Sequence, residues 1–102
     1  MRMLLTGEPV PARDALAMGL CSEVVADAEV FDTALRIAKT IAGLPALAVM
    51  QIKEAVLAGQ DSSLDAAMAL ERKSFQLLFA TSDQKEGMRA FLEKRKPDFQ
   101  GR

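Results

Sequence analysis

Few side chains in this sequence combine reactive chemistry with a setting that would use it. Glu71 lies within an apolar stripe, one helical turn before Phe75. Burial raises a carboxyl pKa toward neutrality, and such a group can serve as a general acid or base. An ion pair with Arg72, Lys73 or a basic residue of another helix explains Glu71 without catalysis, and that pairing is the expectation. Lys94-Arg95-Lys96 is the stronger candidate. Cations at a helix C-terminus complement the dipole and the free carbonyls there, and an ammonium also offers a point charge to a phosphate. Cys21, beside Leu20 and near Val24 and Val25, fits a small buried hydrophobe. The methionines at 3, 18, 50, 68 and 88 recur on helix faces and read as core filling. Gly7-Glu8-Pro9 reads as a turn, because no strand leading into Gly-x-Gly surrounds it.

Absent residue types narrow the chemistry. No histidine occurs, so Ser-His-Asp and Cys-His catalysis and His-based metal sites are excluded within these residues. A single cysteine forms neither an internal disulfide nor a multi-Cys zinc site. No metal or resident cofactor is expected. A formal charge of -1 gives no general attraction to nucleic acid or to an anionic membrane. No apolar run approaches the roughly 20 residues that span a bilayer. Met1-Arg2-Met3-Leu4-Leu5 is basic then apolar, but Thr6-Gly7-Glu8-Pro9 ends it well short of a signal-peptide core. Cytoplasm is the default expectation. The 102 residues, 50% hydrophobic and 26% charged, suit one domain or part of one. A chain of this length ordinarily buries roughly two thirds of its extended surface.

Helices must position these residues. Met1 to Leu5 reads as the tail of a helix ended by Gly7, and Ala12 to Met18 as a short helix with Gly19 as its left-handed end. Leu20 to Val25 is expected to be extended. Phe31, Ala34, Leu35, Ala38, Ile41 and Ala42 share one side of a helix over about Val30 to Ala42. Gly43 and Pro45 turn the chain into Ala46 to Leu57, ended by Gly59. One of Asp61, Ser62 or Ser63 then caps a long helix. Its stripe is Leu64, Met68, Phe75, Leu78 and Phe79, and Ala66, Leu70 and Leu77 put apolar atoms on a second side, so it needs more than one neighbour. Thr81 with Gln84, or Asp83 with Glu86, has the spacing of a capping box for a last helix. Met88, Phe91 and Leu92 form its buried side, and Pro97 stops it. The fold class is mainly α. A compact helical bundle is possible, but an incomplete domain that packs on other protein is expected.

Leu78-Phe-Ala-Thr-Ser-Asp-Gln-Lys-Glu-Gly-Met-Arg-Ala-Phe-Leu-Glu-Lys-Arg-Lys-Pro97 resembles the C-terminal end of the crotonase (enoyl-CoA hydratase/isomerase) superfamily. Met3-Leu-Leu-Thr-Gly7 and Ala12-Arg-Asp-Ala-Leu-Ala-Met-Gly-Leu20 agree with it, in the expected order, so the resemblance runs from residue 1 to 102. It implies a helical C-terminal oligomerisation region of the crotonase α/β fold without the N-terminal β-spiral core. Residues 1–25 would hold the end of a core helix, a short helix and an extended segment; residues 26–102 would be the helical trimerisation and CoA-cover part. Trimers or hexamers are implied as partners, or else a missing N-terminal part.

Crotonases bind an acyl-CoA thioester and hold its carbonyl between two backbone amides. Hydratases use two glutamates to add water across a 2-enoyl double bond. By this resemblance both features lie ahead of residue 1, so no catalytic residue is expected here, and coenzyme A enters only as part of the substrate. Phe75 matches an aromatic that lines the adjacent subunit's CoA site, and Lys94 matches the lysine that meets the CoA nucleotide. The expected function is therefore subunit contacts and part of a CoA site, hydration of 2-enoyl-CoA being the reaction first in line. A free-standing, non-catalytic helical interaction module is the alternative. A small acyl-CoA carrier has less support, since no Tyr- or His-bearing pocket motif is present.

Overall fold

The computed structural model describes residues 1–102, and every regular element in it is a helix. Contacts gather into two units, Met1–Arg36 and Ile37–Arg102.

In the first unit, α1 spans Arg2–Thr6 and stops at Gly7, whose φ of 65 lets its amide turn back to the Met3 carbonyl. Helix α2 spans Ala12–Ala17. Gly19 follows at φ 76, and the Leu20 amide closes on the Ala15 carbonyl at 2.9 Å, a Schellman-type end. Residues 20–26 form neither helix nor strand, so the segment expected to be extended pairs with nothing. A 3₁₀ turn at Asp27–Glu29, which periodicity does not reveal, leads into α3, Val30–Ala42, whose residues from Ile37 onward belong to the second unit. Arg36 reaches Glu23 at 3.3 Å, an exposed pair of the kind that contributes little.

In the second unit, α4 (Ala46–Gln60) and α5 (Leu64–Leu78) pack together as a helical hairpin. Gly59 was expected to end α4, yet the helix runs through it to Gln60. Gly59 has no left-handed φ to end the helix there, and a Cβ on it would stand 3.4 Å from the Ala67 Cβ of α5, an ordinary contact. Ser63 caps α5 by accepting from the Ala66 amide at 3.3 Å. Thr81 caps α6 (Ser82–Glu93) by accepting from the Gln84 amide at 3.2 Å. Pro97 is not what stops α6. Lys94 does so three residues earlier, in the left-handed region at φ 53, with the Arg95 amide on the Ala90 carbonyl at 3.0 Å.

The expected core is largely uncovered. Ala90, Ser74 and Asp83 are the only buried residues. Leu64, Phe75 and Leu77 of α5 and Phe91 and Leu92 of α6, assigned to buried sides, are 62–79% exposed. The chain keeps 8669 Å² accessible. That is more than half of the roughly 16,000 Å² of an extended chain of this mass, so the expected burial of about two thirds is not reached.

Candidate functional site

Phe75 stands on the exposed side of α5, and its ring meets Phe79 edge to face, with centroids 5.0 Å apart and planes at 80°. Residues four apart on a helix are neighbours, which brings the rings together without distant help. With Leu78, Phe75 divides two apolar cavities. One, of about 320 Å³, lies between α4 and α5 and is walled by Ile52, Ala55 and Met68. The other, of about 370 Å³, is walled by the start of α4, the end of α5, Met88 of α6 and Phe99 beyond it. The buried hydroxyl of Ser74 in the first wall has no hydrogen-bond partner. Glu71, expected to form an ion pair, forms none; it is exposed at the rim of the first cavity. Cys21 is half-buried and free.

The basic cluster is not three equivalent cations. Arg95 grips Glu86 through Nη1 at 2.5 Å and Nη2 at 3.0 Å, and its Nε donates to Glu93 at 2.6 Å. The Asp98 amide also donates to Glu86, at 3.0 Å. Those donors, Arg95 first and the amide second, hold the Glu86 carboxyl at a pKa of about 2, below its ordinary 4.5. The two carboxylates in turn raise the Arg95 pKa above its usual range. Lys94 is different: its ammonium forms no ion pair, and it sits at the helix cap rather than in the last turn.

The segment after Pro97 folds back onto the start of α6, a return that no motif or periodicity in these residues announces. Asp83, 3% exposed, accepts from the Gln100 amide at 2.7 Å and the Gly101 amide at 2.8 Å. The Arg102 carbonyl accepts from the Ser82 and Asp83 amides at 2.9 and 3.1 Å and from the Ser82 hydroxyl. Free amides of the first turn of α6 are thus capped from the far end of the chain. Asp83 and Glu86, which share a capping-box spacing, hold the returning tail instead of capping the helix. Gly101 at φ 73 was the available signal for a tight turn there. Phe75 and Lys94 lie on separate elements, and neither cavity that Phe75 walls includes Lys94.

A family model described as enoyl-CoA hydratase/isomerase matches residues 1–102. The 2,3-dehydroadipyl-CoA hydratase of Escherichia coli (strain K12) is 42% identical over 101 residues, covering 99% of this chain and 40% of that protein. The crotonyl-CoA hydratase of Syntrophomonas wolfei subsp. wolfei is 42% identical over 98 residues, covering 96% of this chain and 38% of that protein. Among solved structures, enoyl-CoA hydratase subunit I of Geobacillus kaustophilus HTA426 superposes with a TM-score of 0.89 at 47% identity, over 95% of this chain and 38% of that one. The chain therefore spans about 40% of the length of the relatives it matches.

Proposed function

This chain belongs to the enoyl-CoA hydratase/isomerase family, and on that premise we propose that it forms the C-terminal helical part of an enzyme acting on acyl-CoA thioesters. Hydration of 2-enoyl-CoA is the reaction we assign to the complete enzyme. These residues supply subunit contacts and part of the CoA site, and they do not catalyse by themselves. The observation that carries this reading is the family match over all 102 residues of a chain whose helix faces stay bare. Phe91, Leu92, Leu64 and Leu77 have no covering neighbour within these residues, so their burial needs other protein.

Phe75 would give the CoA thioester an apolar wall, and Lys94 would meet a phosphate of the nucleotide. Both contacts would cross to a neighbouring subunit in a trimer or a hexamer. Neither side chain is a proton donor or acceptor in the reaction, so both act on binding. The experiment joins this chain to the N-terminal part of the Escherichia coli relative and follows hydration of crotonyl-CoA. Lys94→Ala and Phe75→Ala should each raise KM, Lys94→Ala by roughly tenfold for the loss of one charge-assisted contact, with kcat little changed. KM values equal to the parent's in both variants would remove the proposed role.

A further inference from the structure

We propose that Arg95 and Glu86 are positioning residues for Lys94, locking the end of α6 so that the Lys94 ammonium stays free for a nucleotide phosphate; this rests on the reading of Lys94 given above. Lys94 is the only residue other than glycine with a positive φ. An L side chain there carries strain, and glycine is the usual occupant of such a helix end. A strained backbone persists only where its surroundings over-determine it.

The surroundings do so from both sides. On one side, Glu93 accepts from Arg95 Nε at 2.6 Å; on the other, the Arg95 amide closes on the Ala90 carbonyl at 3.0 Å. The same guanidinium forks onto Glu86 and also donates to the Lys96 carbonyl at 3.1 Å. Glu86 is held by the Asp98 amide as well. Residues 93, 95 and 96 are thereby fixed around Lys94. Arg95 also occupies both acidic side chains of this cluster, Glu86 and Glu93, so neither is left to neutralise Lys94. A compact ammonium, needing no fork geometry, suits a phosphate approached from solvent.

The test titrates the joined protein described above with CoA and follows the NMR signal of the Lys94 ε-methylene in the parent, Arg95→Lys and Glu86→Ala. Arg95→Lys keeps the charge but loses the fork, and it should weaken the CoA response roughly three- to tenfold. Glu86→Ala makes this helix end more positive, yet it should weaken the response as well. Were binding governed by net charge alone, Arg95→Lys would change nothing and Glu86→Ala would tighten it. Either result overturns the inference and leaves the reading of Lys94 standing. A joined parent whose Lys94 signal ignores CoA overturns both. Should Glu86→Ala lose its helicity by circular dichroism, Arg95→Lys decides alone.

Discussion

Asp83 and Glu86 lie one turn apart on α6 and solve different problems. Asp83 is buried and takes two main-chain amides, whereas Glu86 takes a guanidinium and one amide. Because the folded-state pKa of Glu86, about 2, lies below its ordinary 4.5, its ionised form is bound more tightly in the folded state. The stability it contributes is complete above about 4.5 and is lost as the pH falls toward about 2. Denaturant midpoints across that window should fall less steeply in Glu86→Gln than in the parent, and equal slopes would contradict the pairing. Asp83→Ala would strand the Gln100 and Gly101 amides, at a cost of about 1–3 kcal/mol, read as a lower urea midpoint. Lys94→Gly separates backbone from charge. It should stabilise the fold by about 1 kcal/mol by relieving the left-handed strain, while weakening the CoA response. A variant that binds CoA as the parent does would show that the ammonium is idle.

Helix boundaries set by local chemistry were legible in the sequence. Gly7 and Gly19 end α1 and α2 as glycines with positive φ do, and Ser63 and Thr81 cap α5 and α6 with their side-chain oxygens. Errors came where a residue serves a distant partner. Gly59 lies inside α4 facing Ala67 of α5 and not in a turn, and Asp83 answers amides 17 and 18 residues away. Lys94, a lysine at a glycine's position, hid the true end of α6. Phe75 and Lys94 are proposed as CoA contacts on the resemblance alone, and no helical periodicity distinguishes them from other exposed residues. The returning tail gives this scale its own prediction. A Cβ at Gly87 would lie 3.6 Å from the Phe99 ring, an ordinary contact, so Gly87→Ala should leave the tail seated. Gly87→Leu should dislodge the ring and speed hydrogen exchange at the Gln100 and Gly101 amides. Unchanged exchange in Gly87→Leu would mean that Phe99 does not anchor the tail.

At the scale of the whole molecule, the amount of surface left accessible is the feature that stands out. A self-sufficient chain of 11.0 kDa would show about 5,600 Å², and this one shows 8669 Å². Leucines and phenylalanines on α5 and α6 make up part of that excess, and they are the side chains that association would cover. The purified chain should therefore associate or bind a hydrophobic dye, checked by light scattering and dye fluorescence. A monodisperse monomer with a sharp cooperative melt would oppose that. Helix propensity and capping were readable because they act within a few residues, whereas the cover for these faces is not encoded in the residues themselves. Hydration of crotonyl-CoA tests the central claim most directly, with this chain assayed alone and then mixed with a separately made N-terminal part of the Escherichia coli relative. The account predicts no turnover from the chain by itself and measurable turnover from the mixture. Near-enzymatic hydration by the chain alone, at verified mass, would contradict it.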